Sequence, residues 1–177
     1  MNRFSALVLH AHVPWVRHPE TPRCLEEDWL FEAVAECYLP LLEMLHRVRD
    51  DGVAFRLSMT LSPPLCGMLR DDLMQQRMRA YLERGRNLAA AELERGTDPD
   101  RRRLAEWYRQ RFENLESLYN DRWCGDLVGA FADLKNSGHL DILGCGATHG
   151  LLPLLLKSPE AVGAQLETGC RHHEACF

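Results

Sequence analysis

Short apolar runs alternate along the chain with longer stretches in which apolar residues return every three or four positions. Phe4 to Leu9 is compact and apolar, with Val and Leu at its centre, and gives way to polar residues and Pro14. That run is too short for a helix and predicts a buried first strand. Beyond a loop marked by Pro19 and Pro22, Leu30, Val34, Cys37, Leu41, Met44, Leu45 and Val48 recur at helical spacing up to Gly52. They predict an amphipathic helix with a kink at Pro40, whose ring clashes with the preceding turn. Val53 to Leu61 predicts a second strand, closed by Ser62, Pro63 and Pro64, which cannot continue a hydrogen-bonded ladder.

The next seventy or so residues hold no convincing strand. Leu104, Tyr108, Phe112, Leu115 and Tyr119 step at helical spacing, and Asp98 with Pro99 reads as an N-cap and first helical residue. A further helix is expected from about Asp126 to Lys135, stopping near Asn136 to Gly138, followed by a third buried strand at Leu140 to Leu143. Ser158, Pro159 and Glu160 open a last helix that continues to the end. Strand, helix, strand connections imply parallel crossovers, hence an α/β design with ligands beyond the carboxyl ends of the strands. No internal repeat or interdomain linker interrupts residues 1–177, and three strands cannot close a barrel.

Composition narrows the function. The 177 residues are 46% hydrophobic and 27% charged, enough apolar surface for a core and too little charge bias for disorder. Against 26 carboxylates stand 21 Lys and Arg, so nothing draws the chain to nucleic acid or an anionic membrane. The longest apolar runs fall far short of a membrane span, and Arg3 before a short apolar run is no signal peptide; a cytoplasmic location is expected. Seven cysteines without a CxxC pair suit reduced thiols. Cys170, His172, His173 and Cys176 crowd together, but the spacing is not a standard zinc pattern and suits a helix face better. Neither a metal nor a cofactor is expected.

The sharpest cluster of chemistry is His10-Ala11-His12-Val13-Pro14-Trp15, at the end of the first strand. Residues two apart in extended backbone point the same way, so both imidazoles can face the mouth of a sheet or barrel. There they can donate hydrogen bonds to sugar hydroxyls, stabilise charge or bind a metal. After the third strand comes Gly144-Cys145-Gly146-Ala147-Thr148-His149-Gly150, a glycine-rich turn lacking the GK[ST] ending and the GxGxxG spacing of nucleotide loops. It brings His149 toward the same pocket. Of four tryptophans, Trp29, Trp107 and Trp123 suit packing, whereas Trp15 follows the HxH motif in a loop where an indole can stack on a sugar ring. Arg101 to Arg103 reads as the solvated start of a helix.

Four segments occur together in order. They are HAHVPWV, Trp29 with the run Glu32 to Leu42, the stretch Leu57 to Leu65, and GATHGLLPLL. The combination resembles glycoside hydrolase family 57, and within it the 1,4-alpha-glucan branching enzymes. The resemblance implies the N-terminal portion of an incomplete (β/α)7 barrel with a long helical insertion after the second strand. It also implies an alpha-glucan substrate and a retaining mechanism with two carboxyl groups roughly 5 Å apart. By carry-over, His10, His12 and His149 match pocket residues that contact the sugar near the cleavage point, with Trp15 adjoining them.

In that family the nucleophile is a Glu in a WLPE-type segment and the acid/base an Asp much farther along. Neither segment occurs here, while Val162 to Phe177 resembles the helix that precedes the WLPE strand. Glu167 and Glu174 lie on that helix and read as surface carboxylates. The expectation is a chain truncated before its nucleophile, inactive alone and prone to self-association through an open sheet edge and unpartnered helix faces. A noncatalytic glucan-binding remnant is the alternative. A metal-dependent amidohydrolase, which also carries HxH after its first strand, is the third, opposed because neither Lys135 nor Lys157 ends a strand.

Overall fold

A computed structural model describes residues 6–177. Three parallel strands, β1 (Val8–Ala11), β2 (Leu57–Leu61) and β3 (Leu140–Leu143), lie in the order β1-β2-β3. Between β1 and β2, α1 (Leu25–Ala33) runs through a π-helical stretch, Val34–Tyr38, into α2 (Leu39–Asp50). The expected kink at Pro40 takes this form: proline lacks an amide and crowds the carbonyl four residues earlier, and the widened turn at 34–38 accommodates it.

Ser62, Pro63 and Pro64 end β2 as expected and also begin α3 (Pro63–Arg70), since proline suits the first helical positions. Next come α4 (Asp72–Arg95) and α5 (Pro99–Ser117), which pack along each other, then a π-helical stretch Leu118–Arg122 and α6 (Leu127–Asn136). Side chains of Asp71, Asp98 and Asp126 accept the free amides of Met74, Asp100 and Gly129, fixing the starts of α4, α5 and α6. A single short turn, α7 (Leu152–Leu155), precedes α8 (Pro159–Cys176), which Ser158 caps.

The strands are shorter than the apolar runs suggested. The first begins at Val8 rather than Phe4, with Phe4 outside the described residues, and the second begins at Leu57 rather than Val53. Nor are the strands buried on both faces. Ala11, Met59, Leu61, Leu140 and Ile142 are buried beneath the helices, whereas Val8, His10, Asp141 and Leu143 are exposed on the opposite face. The register pairs His10 with Thr60 and Thr60 with Leu143, so that open face is continuous across all three strands. The core lies between the other face and α1–α6, around Leu39, Leu42, Leu65, Leu127, Phe131 and Leu134.

Candidate functional site

Parallel pairing sets His10 beside Thr60 and carries the chain one residue past Ala11 to His12, opposite the start of α3. Each imidazole is held through Nδ1. His10 Nδ1 lies 2.5 Å from Thr60 Oγ1, and His12 Nδ1 lies 2.8 Å from Ser62 Oγ. Ser62 is the N-cap residue of α3, yet its hydroxyl caps no amide. Pro64, at the second helical position, has no amide for a cap to accept, and the Ser62 hydroxyl pairs with His12 instead. With Nδ1 engaged on both rings, Nε2 is left to meet a ligand.

His149 arrives from the end of β3. Its ring stacks on His10 at 4.9 Å between centroids and approaches His12 at 4.3 Å, while His10 and His12 stand 6.3 Å apart. Its backbone is left-handed, φ +55°, a conformation that costs a non-glycine residue on the order of 1 kcal/mol and needs outside support. Gln165 on α8 supplies that support. Its side-chain oxygen accepts the Thr148 amide at 2.9 Å, its amide group donates to Thr148 Oγ1 at 2.8 Å, and its backbone carbonyl accepts the Ala147 amide. Gly169, one helical turn on, is the close-approach point: a Cβ there would stand 2.3 Å from the Cys145 carbonyl oxygen.

Burial lowers the His12 pKa, and the neighbouring His149 and His10 lower it further, so His12 favours its neutral form. Neutral rings offer both a donor and an acceptor, which suits hydroxyl-rich ligands. The three imidazoles do not form a compact ligand set: among the described residues, the one group of three potential metal-binding atoms within 4.8 Å of one another is elsewhere.

Trp15 is 58% exposed, its indole lying over Gly67 of α3. Trp29 and Trp107 are also more than half exposed, against the expectation of packing. Trp107 meets Tyr108 edge-on and takes the Arg111 guanidinium over its face, so it rests on the helix surface rather than in the core. Cys176 is buried, with His172 Nδ1 3.6 Å from its sulfur and Arg70 donating to it, while Cys170 is exposed; this is a helix face. Glu167 pairs with Arg171 on the surface and Glu174 is exposed. A concavity of about 790 Å³ between α1, α4 and α5 holds none of the three histidines. Sequence reasoning missed Thr60, Ser62, Gln165 and Gly169 as positioning residues, because no spacing rule marks a side chain that acts through another.

A family model described as Glycosyl hydrolase family 57 matches residues 6–177. The chain is 32% identical over its whole length to the 1,4-alpha-glucan branching enzyme TK1436 of Thermococcus kodakarensis, of which it covers 26%. Two solved structures superimpose with TM-scores of 0.90. The alpha-amylase AmyC from Thermotoga maritima is 37% identical, with 98% of this chain and 33% of that one covered. The branching enzyme from Pyrococcus horikoshii is 35% identical, with 97% and 32% covered. The chain thus spans between a quarter and a third of the length of these relatives. Among the described residues no helix is long and apolar enough to cross a membrane.

Proposed function

Because the chain belongs to glycosyl hydrolase family 57, we propose that residues 1–177 are the N-terminal part of the catalytic domain of a cytoplasmic 1,4-alpha-glucan branching enzyme acting on glucans of the glycogen or starch type. In this reading β1–β3 begin an incomplete (β/α)7 barrel, and α4 with α5 is its long insertion. The open sheet face supports it, since parallel strands ordinarily have both faces covered and a barrel would turn Val8, His10, Thr60, Asp141 and Leu143 inward. The observation that carries the proposal is the meeting of three imidazoles from two strand ends, within a family match that spans residues 6–177.

The chemistry follows from the retaining scheme. A Glu outside these 177 residues attacks the anomeric carbon while an Asp, also outside, gives its proton to the departing glucosyl oxygen. The same Asp, now a base, takes the proton of an acceptor 6-hydroxyl, which displaces the Glu and makes the α-1,6 branch. His10, His12 and His149 hold the hydroxyls of the sugar at the scissile bond through Nε2, and Trp15 stacks on a neighbouring ring.

Titration with a maltooligosaccharide tests the binding role. Replacing His12 or His149 with Ala should weaken binding about tenfold, the worth of one hydrogen bond; unchanged affinity in both variants refutes the assignment. The reading frame beyond the Phe177 codon and the activity of its product test catalysis. Branches released by a debranching enzyme, without new reducing ends, support transfer. Reducing ends without branches select the second reading, hydrolysis, which the likeness to the alpha-amylase AmyC favours. A stop at that codon selects a noncatalytic glucan-binding role.

A further inference from the structure

The loop between β1 and α1 brings together three side chains that the glucan site does not use. His18, Cys24 and Glu26 each present one potential ligand atom, all within 4.8 Å of one another. The Cys24 thiol already donates to Glu26 Oε2 at 2.6 Å, and Glu20 Oε1 stands 3.4 Å from His18 Nδ1. Imidazole nitrogen, thiolate sulfur and carboxylate oxygen are the donor types zinc takes, and this mixture excludes the hard, all-oxygen cations magnesium and calcium. Around zinc, with bonds of 2.0–2.3 Å, tetrahedral donors stand about 3.3–3.8 Å apart. At most about 1.5 Å of closure is therefore needed for any pair, and Cys24 and Glu26 already stand inside that separation, so side-chain rotation completes the geometry.

Their frame is fixed. The His18 amide donates to Glu27 Oε1 at 2.9 Å, and Glu27 is 1% exposed. Arg77 of α4 pairs with that carboxylate and also donates to the carbonyls of His18 and Thr21. Arg17, one residue earlier, donates to Asp71 at 2.8 Å. Cys24 and Glu26 stand at the N-terminus of α1, and Pro19 and Pro22 limit the backbone between. A loop anchored in this way holds its ligands without a large ordering cost on binding.

We propose that His18, Cys24 and Glu26 form a zinc site, with Glu20 or water as the fourth ligand. Binding replaces the Cys24 thiol proton by the metal: Cys24–SH and Zn²⁺ give Cys24–S⁻–Zn²⁺ and one H⁺ released to solvent. The carboxylate of Glu26, already holding that proton by hydrogen bond, moves onto the ion.

The test uses tag-free, chelator-treated protein titrated with Zn²⁺ by calorimetry and with Co²⁺ by absorbance. One ion per chain, a thiolate-to-cobalt charge-transfer band and proton release on binding are expected. Cys24→Ser should abolish the band and weaken zinc binding by more than 100-fold, beyond the 10–100-fold that loss of a mere supporting group brings. His18→Gln should weaken it while preserving the band, and Cys176→Ser, in the helical Cys/His face, should change neither. Circular dichroism of each variant reports folding separately. No saturable binding by the folded wild type, a band that survives Cys24→Ser, or one lost with Cys176→Ser overturns the proposal.

Discussion

Two glycines on α8 should respond to the same substitution with opposite signs. At Gly169 an added Cβ would stand 2.3 Å from the Cys145 carbonyl oxygen and 3.3 Å from the Ala147 amide nitrogen, both backbone atoms that no rotamer change can move aside. Reaching even 3.0 Å requires about 0.7 Å of separation between α8 and the 145–149 turn, which strains the Gln165 bonds to Ala147 and Thr148. Overpacking of this kind costs about 1–3 kcal/mol, offset by about 0.8–1.0 kcal/mol gained when alanine replaces glycine inside a helix. The net for Gly169→Ala is a loss of up to about 2 kcal/mol. At Gly163 nothing lies within 4 Å of the added carbon, so Gly163→Ala keeps the helical gain and should raise Tm by about 2–4 °C. Urea unfolding of the two variants measures both signs. In Gly169→Ala the imidazole resonance of His149 should also move, because its left-handed backbone depends on that turn. A Gly169→Ala protein as stable as Gly163→Ala would refute the close-approach argument.

His12, His46 and His172 have pKa values below the ordinary 6.5, with burial the leading cause in each. The fold accepts their neutral forms, so the unfolded chain binds more protons once pH falls below 6.5, and stability is lost on the acid side as pH drops through the lowered folded values. Urea midpoints should fall from pH 7.5 to pH 5.5, and a flat profile contradicts this. Imidazole titration by NMR should show His12 rising toward 6.5 in His149→Asn, since part of its depression comes from that neighbour. Glu27→Gln should cost about 3–5 kcal/mol by leaving the guanidinium of Arg77 without its counter-ion; a loss under 1 kcal/mol in urea unfolding would mean water replaces the pair. Trp15→Ala should lower maltooligosaccharide affinity several-fold with little change in stability, because its indole is mostly exposed. Light scattering should find residues 1–177 self-associated when expressed alone, since Leu151, Leu154 and Leu156 are each more than half exposed; a monodisperse monomer contradicts that.

Local chemistry was legible wherever a residue type admits few conformations. Asp98-Pro99 and Ser158-Pro159 mark helix starts because an acceptor side chain and a fixed φ suit no other element so well, and both helices begin there. The third strand, Leu140–Leu143, matches its expected span because Gly138, at φ +78°, ends α6 just before it. Strand lengths at the other two positions were not legible. Val53 to Arg56 is apolar enough to read as strand, but pairing rather than apolarity defines an edge, and their partners begin only at Leu7, Val8 and His139. Likewise, a compact apolar run cannot say which of its faces meets a helix.

The site divides along the same physical line. HxH announces itself because the two-residue repeat of extended chain sends both rings to one side, and the glycines around Thr148 announce a turn. What holds these rings is invisible at that level, because it lies in the pairing between elements. Thr60 meets His10 only through the β1–β2 register, and the Ser62 hydroxyl turns to His12 at a helix start where Pro64 offers no amide to cap. Gln165 reaches Thr148 only because Gly169 lets α8 come within contact of the loop. The strained His149 stands at the end of that chain of dependence, so its geometry should be more sensitive to Gly169 and Gln165 than to any neighbour in sequence. Gln165→Ala gives the direct check. It removes two hydrogen bonds, worth about 1–3 kcal/mol together, from the turn that holds His149 left-handed. If the glucan reading holds, affinity should fall nearly as far in Gln165→Ala as in His149→Ala, although residue 165 touches no ligand. Full affinity in Gln165→Ala would mean that the turn keeps its shape without α8.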